Sequence, residues 1–120
     1  MGITIKITIA FISLLHFYFL WLEMFAWTSR GPKIFRKFPK ELFAQTKSMA
    51  ANQGLYNGFL ATGLLWTFFI DNADWITNIS LFFLICVAVA GVYGALTVSK
   101  KIFFIQALPA ILAIILIMLS

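Results

Sequence analysis

The sequence predicts an all-α membrane protein, a four-transmembrane-helix up-down bundle. Of its 120 residues, 62% are hydrophobic and only 11% are charged, whereas a water-soluble domain of this size needs far more polar surface. The apolar residues also fall into four long blocks. Each block is close to the ~20 residues that cross a ~30 Å hydrocarbon core.

The four blocks cover approximately residues 7–28, 49–70, 76–98 and 102–119. They leave no room for a soluble domain, so we expect residues 1–120 to form a single transmembrane domain with an interfacial loop at 29–48. A cleaved signal peptide is the alternative for the first block. The block fits that alternative poorly, because its apolar run is long, only Lys6 precedes it and no small-residue cleavage site follows.

Basic residues predict the orientation of the chain. Eight of them lie in two links, the long loop after the first block and the short link before the fourth: Arg30, Lys33, Arg36, Lys37, Lys40, Lys47, Lys100 and Lys101. The link between the second and third blocks carries Asp71 and Asp74 and no basic residue. Basic loops stay on the cytoplasmic side. We therefore expect a multi-pass protein of the cell membrane with both termini outside.

The net charge of +5 is interpreted as contact with anionic lipid headgroups at Arg30, Lys33, Arg36, Lys37 and Lys40. Nucleic-acid binding is the other usual interpretation of a basic patch, but orientation already accounts for the pattern. Within the long loop, the stretch IFRKF places apolar side chains beside Arg36 and Lys37. This pattern favours a segment lying in the headgroup region over a gate above a cytoplasmic-side cavity.

Polar residues inside the blocks predict a binding site. Depth in the bilayer can be counted from the cytoplasmic end of each predicted helix at ~1.5 Å per residue. By this count, every predicted helix places a polar side chain in the same cytoplasmic third of the bilayer. The candidate ligand-binding residues are Glu23, His16, Asn52, Gln53, Tyr56, Asn57, Tyr93 and Gln106. Polar groups in a membrane are costly. This layer is therefore either a polar pocket open to the cytoplasm or a hydrogen-bond network that holds the bundle together.

Glu23 is the only acidic residue within a block, and His16 precedes it by seven residues on the same helical face. We expect Glu23 either to stay protonated or to pair with amide or tyrosine donors from other helices. His16 is interpreted as a hydrogen-bonded core imidazole, with a proton relay to Glu23 as the alternative. One histidine, one glutamate and the lone Cys86 at different depths match no metal-ligand spacing, so we expect no metal site and no intramolecular disulfide.

Small residues and one proline shape the predicted helices. Gly54 and Gly58 form a G-x-x-x-G pair in the second predicted helix. Gly91 and Gly94 leave the backbone of the third predicted helix without side chains at two positions. Such residues let membrane helices approach closely or make room for a ligand. Pro109 lies inside the fourth block and is expected to kink it.

The stretches HFYFLWLEMFAW and ANQGLYNGFLATGLLW resemble a family of small bacterial integral membrane proteins catalogued as domain of unknown function 1304. The resemblance covers nearly the whole chain and rests on Glu23, the basic loop and the segment from Asn52 to Asn57. It implies a four-helix membrane protein and supplies no activity or cofactor.

A looser similarity is to the membrane-associated eicosanoid and glutathione metabolism proteins, which also have four spans, a cytoplasmic loop after the first, and an asparagine at the start of the second helix. They bind glutathione between subunits of a trimer. This chain departs from them, because its second helix has neither the arginine nor the glutamate needed to hold an anionic tripeptide. The likeness is one of fold.

The preferred hypothesis is a membrane protein that binds, and by extension transports, an amphipathic small molecule or lipid in the polar layer. Four spans are few for a transporter, so a homo-dimer or homo-trimer is expected. The alternatives are a membrane enzyme acting on a lipid or lipophilic thiol conjugate, with Glu23 as general acid or base, and a structural or accessory membrane subunit.

Overall fold

The computed structural model describes all 120 residues, Met1–Ser120, as helices joined by turns, with no strand. The α-helices are α1 (Ile3–Phe25), α2 (Gly31–Ile34), α3 (Leu42–Gln45), α4 (Lys47–Trp66), α5 (Ala73–Thr97) and α6 (Leu108–Leu119). A 3₁₀ turn at Thr67–Phe69 follows α4, and a π-helical stretch at Phe103–Ala107 precedes α6. The all-helical prediction is confirmed.

Each of the three long helices begins a few residues before the apolar block that predicts it. Helix α5 illustrates the reason, because its start is decided by a cap and not by hydropathy. The Asn72 side chain accepts a hydrogen bond of 3.1 Å from the Trp75 backbone N–H, and this satisfies one of the unpaired donors of the first turn. The helix therefore includes Ala73, Asp74 and Trp75, which the apolar block leaves out.

Two helices, α1 and α5, are long and apolar enough to cross a membrane. Helix α4 also has 20 residues, but its amide-rich first turns lower its hydropathy. The fourth predicted span corresponds to the shorter apolar helix Phe103–Leu119. The four-span bundle and the orientation of the termini stay predictions.

The chain divides into two compact units. The first comprises Met1–Ser13 and Thr62–Ser120, and the second comprises Leu14–Ala61. In the first unit, α5 packs against the π-helical stretch and α6. A Cβ atom added to Gly91 would lie 2.5 Å from the backbone nitrogen of Ala107, and one added to Gly94 would lie 3.0 Å from Cγ2 of Ile102. These glycines therefore permit close helix contact, as the sequence predicts.

Pro109 lies in the first turn of α6, directly after the π-helical stretch. Proline has no N–H to donate and its ring crowds the preceding turn. The chain responds by widening that turn, and the Leu108 N–H donates to the Phe103 carbonyl five residues earlier. The local effect of Pro109 thus takes the form of a π-type turn.

In the second unit, the last turns of α1 pack against the first turns of α4. The buried stripe of α4 recurs at three- and four-residue spacing: Ala50, Gly54, Asn57 and Ala61. Between the two helices, α2 and α3 fold over Trp27. This unit contains the acidic residue of α1 and the amides of α4, and it positions the candidate site.

Candidate functional site

The centre of the candidate site is a hydrogen bond between α1 and α4. The side-chain amide of Asn57 donates to Oε1 of Glu23 over 2.6 Å. Asn57 is buried and Glu23 is half-buried. The structure thus pairs the only acidic residue within the predicted spans with one of the amides predicted to be its partner.

Two glycines bring the helices within reach of this bond. A Cβ atom on Gly54 would lie 2.8 Å from Cγ of Met24 and 3.2 Å from the carbonyl oxygen of Leu20, and one on Gly58 would lie 2.5 Å from Cδ1 of Leu20. The G-x-x-x-G pair therefore packs directly on α1. The sequence leaves two roles open for this pair, close helix approach and room for a ligand. These contacts fit close helix approach, because α1 occupies the space beside both glycines.

Asn57 is the α4 side chain that is hydrogen-bonded to Glu23, and the other polar residues predicted on α4 lie at the surface. Asn52, Gln53 and Tyr56 are exposed, and the Tyr56 ring packs edge-on against Phe59 with 5.7 Å between ring centroids. Gln53 lies one turn before Asn57 and therefore borders the paired residues on the accessible side. Their role in ligand binding stays a prediction.

His16 is fully buried within α1. Its ring meets that of Phe19 edge-on, with 5.1 Å between centroids. Burial against an aromatic neighbour agrees with the interpretation of His16 as a core imidazole. A proton relay with Glu23 is not tested by this geometry.

Tyr93 and Gln106 belong to the first unit, whereas Glu23 and Asn57 belong to the second. Tyr93 is exposed on α5, and Gln106 is half-buried in the π-helical stretch. The prediction that they share one polar layer with Glu23 stays a prediction.

The loop between α1 and α4 has an aromatic core that sequence reasoning missed. Trp27 lies at its centre, with ring centroids 5.7 Å from Phe35, 6.1 Å from Phe38 and 5.0 Å from Phe43. Its indole N–H donates to Oγ1 of Thr46 over 3.0 Å. The aromatic residues spaced along this loop are the sequence signal that could have indicated the core.

Five cations predicted to contact lipid headgroups lie in or beside this loop. Four of them, Lys33, Arg36, Lys37 and Lys40, line one open depression with a volume of about 620 Å³. Arg30 is exposed but does not line it. The loop is thus a folded element that displays charge on one side.

The paired residues and the loop offer two kinds of chemistry. A half-buried carboxyl group with one oxygen bonded to an amide can accept hydrogen bonds from a ligand or pair with a cation. The cations of the loop can hold an anion. These are recognition chemistries, and both lie within Leu14–Ala61.

Comparison with known proteins gives a family without an assigned activity. A family model described as protein of unknown function (DUF1304) matches residues 10–118. The chain is also 36% identical over 107 residues to the uncharacterized protein YpaA of Lactococcus lactis subsp. lactis (strain IL1403), and the match covers 87% of each chain. No solved structure matches. The match over nearly the whole chain agrees with the resemblance predicted from Glu23 and the Asn52 to Asn57 segment, and the chain therefore belongs to the DUF1304 family of proteins of unknown function.

Proposed function

We propose that this chain is a four-span membrane protein, with both termini outside, that binds an amphipathic small molecule or lipid beside Glu23 and Asn57. The membrane part of the proposal is supported by the exposure of its apolar helices. Only 28% of the most apolar window of α1 and 22% of that of α5 are buried inside the protein. Monomers in water rarely expose apolar surface on that scale. The proposal is therefore that lipid covers the exposed faces of α1 and α5.

The observation that carries the binding proposal is the 2.6 Å hydrogen bond from Asn57 to Glu23 at a glycine-lined helix contact. Gly54 and Gly58 already allow the helices to pack. A hydrogen bond between membrane helices adds only about 0.6–2 kcal/mol, and an ionisable side chain inside a membrane is costly. A carboxyl group is therefore poorly suited to packing alone and well suited to recognising a ligand.

The geometry also indicates what such a ligand would carry. Asn57 orients the Glu23 carboxyl group, so a ligand would present a hydrogen-bond donor or a cationic group to it. Gln53 and Tyr56 are exposed near the same turns of α4 and can bond to further polar groups of the ligand. The surrounding lipid would hold its apolar part.

A matched pair of variants tests this proposal. Glu23→Gln keeps an acceptor for Asn57 but removes the ionisable carboxyl group, and Glu41→Gln makes the same change at an exposed loop position. The small molecules that co-purify with the full chain in mild detergent would be quantified by mass spectrometry. We expect Glu23→Gln to lose a species that wild type and Glu41→Gln retain, with little change in thermal unfolding. Identical co-purified content in all three proteins would contradict the proposal.

A second candidate function is that of an accessory membrane subunit in which the same bond serves only to pair helices. The close approach of Gly54 to Leu20 and Met24 favours it, because this is the geometry of a packing seam. Under this alternative, loss of the bond lowers stability and leaves the co-purified molecules unchanged. A homo-dimer or homo-trimer is compatible with either candidate.

A further inference from the structure

The open depression of the α1–α4 loop is lined almost entirely by cationic side chains and rigid apolar ones. Lys33, Arg36, Lys37 and Lys40 supply the charge, and Pro32, Phe38 and Pro39 complete the wall. No carboxylate lines it. Four positive groups around one concave surface therefore face solvent without an acidic side chain of the depression to neutralise them.

The wall of this depression is held in place by the aromatic core of the loop. Phe38, which lines the depression, stacks edge-on against Phe43 with 4.9 Å between centroids, and both rings contact Trp27. A Cβ atom on Gly31 would lie 2.7 Å from Cε1 of Phe43, so the start of α2 also packs tightly on this core. The cations thus extend from a folded scaffold, which lowers the entropy cost of gathering them around a ligand.

Arg36 is positioned by the backbone of the same loop. Its Nε–H donates to the carbonyl oxygen of Lys33 over 3.4 Å, a long bond that uses one of the five N–H donors of the guanidinium group. The two terminal NH₂ groups can then form the paired hydrogen bonds that match phosphate geometry. The three lysines add charge around this fork.

We propose that this depression binds one phosphate-bearing group, either the headgroup of an anionic lipid or a free phosphate compound. Its volume of about 620 Å³ exceeds many times the ~30 Å³ share of one water molecule in the liquid, so it accommodates a hydrated phosphate. The site is independent of the binding function assigned to Glu23 and Asn57. It also differs from diffuse attraction to a membrane surface, because Arg30 lies outside it and the bound group has a defined place.

Calorimetric titration of the purified full chain in a non-ionic detergent tests the proposal with two probes, inorganic pyrophosphate and a short-chain phosphatidylglycerol. Arg36→Gln/Lys37→Gln removes two cations of the depression, and Lys100→Gln/Lys101→Gln removes two exposed cations of the other basic link. We expect wild type to saturate near one ligand per chain. The loop variant, Arg36→Gln/Lys37→Gln, should bind about tenfold more weakly or worse. The control variant, Lys100→Gln/Lys101→Gln, should keep an affinity within about twofold of wild type.

The two probes distinguish the sources of the phosphate group. Tight binding of pyrophosphate assigns the site to a free phosphate compound, whereas saturable binding of the lipid alone assigns it to a headgroup. Arg36→Lys keeps the charge and removes the fork, so its affinity should fall between wild type and the double variant. Equal weakening by the loop and control variants, or binding that never saturates with either probe, would overturn the proposal.

Discussion

The side chain of Asn57 donates a hydrogen bond of 2.6 Å to Glu23, a residue 34 positions earlier in the chain. Gly54, one turn before Asn57, contacts the same stretch of α1, so the polar bond and the glycine contact form a single seam. The seam contains two signals that the sequence offers, the lone carboxyl group of α1 and the G-x-x-x-G pair of α4. The contribution of this seam to stability can be tested by substitution of its residues.

Replacing Asn57 with alanine should lower the thermal unfolding temperature in detergent. The change removes a part-buried hydrogen bond and leaves the Glu23 carboxyl group without this donor, which costs about 1–2 kcal/mol and corresponds to a shift of a few degrees. Asn52→Ala is the matched control, because Asn52 is exposed on the same helix and should shift the unfolding temperature little. Equal shifts for the two variants would show that the bond contributes nothing measurable.

Two glycines of α5 should respond differently to alanine. At Gly91 the added Cβ atom would lie 2.5 Å from a backbone atom of Ala107, whereas at Gly94 it would lie 3.0 Å from the side chain of Ile102. A side chain can rotate away more easily than a backbone can shift. Overpacking costs about 1–3 kcal/mol, and alanine recovers about 0.5–1 kcal/mol of helix propensity.

We therefore expect Gly91→Ala to lower the unfolding temperature clearly and Gly94→Ala to change it little. Thermal denaturation of both variants in one detergent gives the comparison. A Gly91→Ala protein as stable as wild type would mean that α5 and the π-helical stretch separate at little cost.

The proposed orientation predicts which links are accessible from outside the cell. In a Cys86→Ala background, which removes the only cysteine, single cysteines would replace Asp71 or Lys100, both exposed. A membrane-impermeant maleimide should label Asp71→Cys in intact cells and Lys100→Cys only after permeabilisation, because basic loops stay on the cytoplasmic side. Labelling of Lys100→Cys in intact cells would contradict the proposed topology.

Several parts of the fold follow from local sequence signals. Long apolar blocks predict the long helices, and the spacing of Gly54 and Gly58 predicts a close helix contact. A lone carboxyl group among apolar residues predicts a hydrogen-bonding partner, and the structure provides one in Asn57. These signals are reliable because each depends on a strong local preference or on the high cost of an unpaired polar group.

Other parts depend on which way a helix is rotated. Asn52, Gln53, Tyr56 and Asn57 lie within two turns of α4, and the sequence treats them as one polar set. Because successive residues point about 100° apart around a helix, only one of them faces Glu23 while the other three are exposed. The choice among them is made by the Gly54 and Gly58 contacts, which fix the rotation of α4 against α1.

The sequence by itself therefore determined the helical class, the family and the identity of the acidic residue that needs a partner, because hydropathy and the cost of polar burial act locally. Only the tertiary structure decided which amide pairs with Glu23 and which cations share one depression. Those relationships join residues separated along the chain, such as Trp27 and Phe43 in the folded loop. They depend on how side chains pack together, and packing depends on three-dimensional shape as well as on residue type.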